Sequence, residues 1–351
     1  MPRDLKYHQA IHEAIDLCMA ADESVYVIGL GATDPKGVFG TTSGLERKYG
    51  SRRVMDMPCA ENGMSGVVLG SALAGMRPIM VHQRIDFALL AMEQIVNQAA
   101  KWHYMFGGRT AAPLVIRLLV GRGWGQGPQH SQSLHAWFAH VPGLRVVMPS
   151  TPQDAKGLLI ASVEDDNPVI FIEHRWLYNI SGPVPEGLFR VPLGQARVLR
   201  SGSDVTIVAI SHMALEAHRA AEILAGEGID AEVIDPRTLR PFDEETIIES
   251  VRRTGRLIVA DTSWRHAGFA AEVVARVAEE AGGALKCPPR RIALPECPTP
   301  TSPALAAHFY PTSSDIVSAA CEMVQRRAWR PAAIAAGHFG DVPDAAFTGP
   351  F

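Results

Sequence analysis

The chain is short of several things that would have decided its class at once. No uninterrupted apolar run approaches the roughly 20 residues that a membrane-spanning helix requires. The first residues, Met1-Pro-Arg-Asp-Leu-Lys-Tyr-His, lack the apolar core of a secretory signal, so a cytoplasmic protein with no membrane role is expected. Five cysteines are scattered over 351 residues (Cys18, Cys59, Cys287, Cys297, Cys321) with no CxxC pair. An odd, unpatterned set argues against a disulfide framework and fits reduced thiols. Cys287 and Cys297 flank a proline-rich stretch, but structural zinc needs four ligands and no second pair completes them. A formal charge of −4 with no basic stripe argues against a nucleic-acid partner. No repeat of 20–50 residues is present, which excludes a solenoid. The third glycine of a dinucleotide-binding turn is also missing. Gly29-Leu-Gly-Ala-Thr runs on into Asp34-Pro35 and not into a helix.

What is present is an alternation of short apolar runs with helical patterns. Lys6–Ala21 places Ile11, Ala14, Ile15 and Cys18 on one helical face. Strands are expected at 24–29, 53–56, 78–81, 113–120, 145–148 and 168–172, with helices at 61–74, 86–105, 131–140 and 152–163 between them. Such alternation implies parallel α/β sheets covered on both faces. A second series follows, with strands at 204–210, 230–235 and 256–260 and helices at 214–227, 244–253 and 268–280. The expected organisation is a domain over 1–185, a linker over 186–203, a second domain over 204–325 and an extension over 326–351. Residues 285–303 are proline-rich and read as irregular.

The segment Gly123-Trp-Gly-Gln-Gly-Pro-Gln-His130-Ser-Gln-Ser133 carries the strongest chemical signal. Its glycines allow close backbone approach, and a histidine on a loop after a buried strand is well placed for proton transfer. Two further segments join it. Asp56-Met-Pro-Cys-Ala-Glu61-Asn-Gly-Met sets an acid where a turn becomes a helix. Ile85-Asp86-Phe87 opens another helix.

Together with Val141-Pro-Gly-Leu-Arg-Val-Val-Met-Pro149 and Val233-Ile-Asp-Pro-Arg-Thr-Leu-Arg-Pro-Phe-Asp243, these segments resemble the β subunit of the thiamine-diphosphate-dependent 2-oxo acid dehydrogenases. The resemblance extends over residues 5–322 with the motifs in order. It implies two doubly wound α/β domains, a pyrimidine-binding thiamine-diphosphate fold and a transketolase C-terminal-like domain. By the same resemblance Glu61 meets N1′ of the cofactor's aminopyrimidine. A carboxyl there favours the tautomer whose exocyclic nitrogen takes the thiazolium proton. Phe87 matches the aromatic that stacks on this ring, Gln83, on the strand leading to it, is expected to face the cofactor pocket as well, and His130 matches the histidine that assists acyl transfer. A potassium ion is implied at Asp165 and Asn167, with Leu114 and Ser162 as carbonyl donors; hard cations take such oxygens.

No Gly-Asp-Gly motif for a diphosphate-bound Mg2+ occurs, the nearest being Phe339-Gly-Asp-Val. The resemblance therefore implies that a separate α subunit holds the diphosphate and Mg2+, in an α2β2 heterotetramer acting on a 2-oxo acid and serving a lipoyl-bearing acyltransferase. Two departures stand out. Leu30 occupies a position where the family usually has an acid, and His82-Gln83-Arg84 replaces its usual acid and aromatic residues. Arg84 is expected to meet either an anionic substrate group or an acid of the α subunit. A split transketolase-like carboligase is the alternative enzyme, and a silent scaffold subunit the alternative of another class.

Overall fold

The computed structural model describes residues 3–121 and 125–325. Arg122, Gly123 and Trp124 of the glycine-rich loop, and the extension over 326–351, lie outside the described residues. Fourteen strands occur among them: β1 (Arg3–Lys6), β2 (Val25–Gly29), β3 (Val54–Met55), β4 (Arg77–His82), β5 (Val115–Val120), β6 (Arg145–Val147), β7 (Val169–His174), β8 (Ser181–Val184), β9 (Arg197–Arg200), β10 (Val205–Ala209), β11 (Ala231–Asp235), β12 (Thr238–Arg240), β13 (Leu257–Trp264) and β14 (Arg290–Leu294). They fall into two units. One comprises the residues up to Val120 with Trp137–Leu193, and the other Gly121–Ala136 with the residues from Gly194 on.

In the first unit the strands lie in the order β6-β7-β5-β4-β2-β3, all parallel. Strands buried on both faces read as continuous apolar runs, as β5 and β7 do. The helices Tyr7–Ala21 and Pro152–Glu164 cover one face. Ile11, Ile15, Leu158 and Leu159 pack there on Val27, Ile79, Val81 and Phe171. Burial of each such side chain contributes about 1.5–3 kcal/mol. The helix at Pro152 starts cleanly because Thr151 Oγ1 accepts from Asp154 N at 3.1 Å and proline fills the first helical position. β1 and β8 form a separate antiparallel pair.

In the second unit the order is β14-β13-β10-β11-β9, with β9 antiparallel to β11 and the other pairs parallel. Its core joins Ile207, Val233 and Ile258 to Met213, Ala217 and Leu224 of the helix His212–Gly226 and to Ile316 and Ala320 of the helix Ser313–Gln325.

Several local expectations are corrected. The stretch expected as a linker contains β9, and β14 lies within the proline-rich region expected to be irregular. The helix expected over 86–105 is broken into an α-helical turn at Ile85–Ala88, a 3-10 turn at Leu89–Ala91, a π-helical segment at Glu93–Ala99 and an α-helix at Ala100–Met105. Wide π turns of this kind are frequent beside functional sites. The helix expected from Ser131 begins only at His135, since Ser131–Leu134 remain in the preceding loop. In this structure Gly121–Ala136, which carries His130, groups with the second unit.

Candidate active site

In the first unit Glu61, Gln83 and Phe87 follow the carboxyl ends of β3 and β4, the edge where open α/β sheets present their ligand crevices. The loops leaving β2, β3 and β4 are tied together there. Gly31 N donates to Asp56 Oδ1 at 2.9 Å, and Gln83 Nε2 donates to the Leu30 carbonyl at 3.0 Å. Gly31 has φ +74°, and a Cβ on it would stand 3.0 Å from both Gln83 Nε2 and Asp34 Oδ2. The left-handed backbone is what calls for glycine here, and the space beside it is tight against these two side-chain ends. Leu30 enters this knot through its backbone, so the position lacks an acid yet keeps a structural role.

Glu61 is the first residue of the helix Glu61–Leu73. Its half-buried carboxylate makes no hydrogen bond or ion pair among the described residues. This helix packs on β4 and on the segment 89–99, with Ser65 Oγ 3.4 Å from Met80 Sδ. Phe87 sits half-buried in the turn Ile85–Ala88 that follows β4. Glu61, Gln83 and Phe87 therefore share one sheet edge.

The two residues beside Gln83 turn inward. Arg84 is 2% exposed, and its guanidinium lies 5.8 Å from the Phe39 ring, which also has the Arg175 guanidinium at 4.8 Å. Arg84 thus belongs to the interior of this unit and does not present a free cation to a substrate or another chain. His82 is buried at the end of β4, and burial pushes its pKa down to about 4, so it is neutral near pH 7.

Asp165 and Asn167, expected at a potassium site, are tied to each other and to Arg145. Asp165 Oδ1 accepts from Asn167 N at 2.8 Å and from Asn167 Nδ2 at 2.7 Å, and its Oδ2 lies 2.8 Å from Arg145 Nε. That last contact is an ion pair off the hydrogen-bond line. Ser162 Oγ donates to the Leu158 carbonyl at 2.6 Å, and the Leu114 carbonyl accepts from Val169 N at 2.9 Å. Among the described residues no group of three or more His, Cys, Asp or Glu converges on a metal position.

The second unit carries His130, exposed on its loop, with its N–H donating to the Gly127 carbonyl at 3.2 Å. A cavity of about 460 Å³ opens beside it, lined by Gln129, Gln132, Trp264, Glu296 and Cys297 among others. Trp264 Nε1 donates to the Cys297 carbonyl at 2.8 Å and fixes one wall. Five residues beyond His130, His135 meets Asp261 in a fully buried contact that sequence reasoning missed. The only local signal was an aspartate closing the apolar run Leu257-Ile-Val-Ala.

The transketolase pyrimidine-binding domain family matches residues 3–181, and the transketolase C-terminal domain family matches residues 194–316. The chain belongs to the transketolase family. Thiamine diphosphate is the cofactor these domains serve. Among its relatives, the acetoin:2,6-dichlorophenolindophenol oxidoreductase subunit beta of Cupriavidus necator is 46% identical over 91% of this chain and 97% of that one. The subunit of the same name from Bacillus subtilis is 40% identical, covering 92% and 98%. The pyruvate dehydrogenase E1 component subunit beta of Rickettsia felis is 41% identical, covering 89% and 95%. A solved structure described as a split-gene transketolase, inactive beta4 tetramer, shares the fold with a TM-score of 0.74 at 24% identity, covering 92% and 98%. No helix among the described residues of this transketolase-family chain is long and apolar enough to cross a membrane.

Proposed function

We propose that the chain is the β subunit of a heteromeric thiamine-diphosphate-dependent 2-oxo acid dehydrogenase, working with an α subunit in an α2β2 assembly. The observation that carries this reading is Glu61, an acid at a helix N-terminus with no partner among the described residues, on the sheet edge that also bears Gln83 and Phe87. The thiamine ring supplies the carbon nucleophile and electron sink for removing CO2 from a 2-oxo acid. Glu61 would hold a proton against N1′ of the pyrimidine. Phe87 would support the ring face, and Gln83 keeps the loops after β2 and β4 in register beneath it. His130 would hold a proton where the acyl group leaves for a lipoyl arm on an acyltransferase. No diphosphate-binding motif occurs in the sequence, so the α subunit would hold the diphosphate and Mg2+. A potassium ion at Asp165 and Asn167, with the Leu114 and Ser162 carbonyls as further donors, belongs to the same reading.

A second substrate class is favoured by the 46% identical relative named for acetoin. A 2-hydroxyketone and a 2-oxo acid differ only in the fragment that departs as the two-carbon unit is retained. The test is turnover of both classes by the chain co-expressed with its α subunit, read by dye reduction and by acylation of a lipoyl domain. Turnover that requires both chains, thiamine diphosphate and Mg2+ supports the reading. Magnesium-dependent cofactor binding and turnover by this chain alone would overturn it.

A further inference from the structure

The described part of the loop carrying His130 is held in the second unit on both sides of that residue. At Gly127 a Cβ would lie 2.3 Å from Thr301 Oγ1, so the backbone approaches that residue directly. At the far end His135 opens the helix His135–His140, and its Nε2 lies 3.0 Å from both carboxylate oxygens of Asp261. Both side chains are wholly excluded from water. Asp261 stands within β13 and also accepts from Ser263 Oγ at 2.8 Å and from Ser263 N at 3.2 Å. The other ring nitrogen of His135, Nδ1, has no partner among the described residues. Asp261 is therefore the polar anchor of that ring.

A buried pair of this kind is an expensive way to fill space, because two polar groups lose water to make one directional contact. Apolar residues of equal volume would hold the helix at least as well. What a carboxylate–imidazole contact adds is direction: it fixes the ring, and with it the start of the helix, relative to β13. His130 lies five residues upstream on the same loop.

We propose that Asp261 and His135 form a positioning pair that sets the place of His130. Neither is assigned contact with the substrate, and the proposal rests on the reading of His130 as the residue that handles a proton during acyl transfer. The loss of directional anchoring would move His130 by a fraction of an ångström to an ångström, and displacements on that scale cost on the order of 10–100-fold in rate.

The experiment uses the assembled complex and separates the two half-reactions. Dye reduction reports the first, and acylation of a free lipoyl domain reports the second. His130→Ala is the reference. Asp261→Asn and His135→Leu are expected to lower kcat for acyl transfer by on the order of 10-fold or more while leaving KM and dye reduction within about twofold. His135→Gln, which keeps a donor toward Asp261, should restore most of the transfer rate and serves as the second variant if His135→Leu does not fold. In the His130→Ala background Asp261→Asn should add less than about twofold, because both act on one step. Equal losses in both half-reactions, or multiplicative losses in the double variant, would overturn the pair. If His130→Ala impairs transfer while the pair variants do not, only this proposal falls. If His130→Ala leaves transfer intact, the role given to His130 falls and takes the proposal with it.

Discussion

Arg117 and Glu173 meet across β5 and β7 with both side chains fully excluded from water, Nε to Oε1 at 2.6 Å and Nη2 to Oε2 at 2.8 Å. Tyr178 donates its hydroxyl to the same carboxylate at 2.5 Å, and Thr41 Oγ1 accepts from Arg117 Nη2 at 3.1 Å. Burial opposes the charge on Arg117, but the Glu173 carboxylate beside it holds the guanidinium protonated. Removing one partner leaves a charge stranded in the core, which costs about 3–5 kcal/mol. Arg117→Ala or Glu173→Ala should therefore unfold at markedly lower denaturant. The paired replacement Arg117→Met with Glu173→Leu should recover most of that loss. A double variant no better than the singles would show that the pair contributes to the fold more than it costs.

Glu61→Gln keeps the size of the side chain and removes its acidity. In the assembled complex, dye-coupled turnover should fall by on the order of 10²–10⁴-fold, the usual scale for a lost proton-transfer group. Assembly, followed by gel filtration, should be unchanged. Near-normal turnover in the Glu61→Gln variant would favour the scaffold reading.

His82 and His212 should make the fold acid-sensitive. Burial pushes both down to about 4; at His212 a nearby Glu216 partly offsets this and Arg219 adds to it. In the unfolded chain a histidine takes its proton near 6.5. As pH falls from 6.5 toward 4 the unfolded state binds a proton that the fold refuses, so stability declines. The loss is complete below the folded value and amounts to about 3 kcal/mol for each histidine. Unfolding midpoints at pH 7.5 and 5 should differ, and His82→Met should reduce the difference. An unchanged pH slope in that variant would contradict a buried, neutral His82.

Gly29→Ala tests the close approach of β2 and β4. A Cβ there would lie 2.6 Å from the Val81 carbonyl, so the strands must separate. Destabilisation by about 1–3 kcal/mol is expected, the usual scale for overpacking. Because Leu30 and Gln83 adjoin this contact, cofactor-dependent turnover should fall with it. Wild-type stability would mean that the strand pair yields more easily than its geometry suggests.

Asp243 caps the helix Glu244–Thr254 through Thr246 N at 3.2 Å, and its other oxygen accepts from Ala196 N at 2.8 Å. Asp243→Ala should lower stability by about 1–2 kcal/mol, with Asp243→Asn intermediate. The thermal midpoint of the complex is the measurement. An alanine variant without a shift would show that the cap contributes nothing.

Much of the fold was legible because its signals are local. Val115-Ile-Arg-Leu-Leu-Val and Val169-Ile-Phe-Ile announce buried parallel strands, and Thr151-Pro152 announces a helix start. The segment 85–105 shows the limit. Its apolar spacing reads as one helix, yet the main chain widens into a π segment at Glu93–Ala99. Arg84 shows another. A lone arginine beside a candidate site suggests a free cation, whereas the fold closes it against Phe39, 45 positions earlier in the chain.

The order of residues alone settled the alternating α/β architecture, since hydrophobic period and turn chemistry are properties of neighbours, and the motif resemblance singled out the acid at 61 and the histidine at 130. Folding decided which unit the His130 loop joins, that Arg145 faces Asp165, and that His135 meets Asp261 across 126 positions. Contacts of that span arise from how sheets and loops stack, and no short window of sequence encodes them.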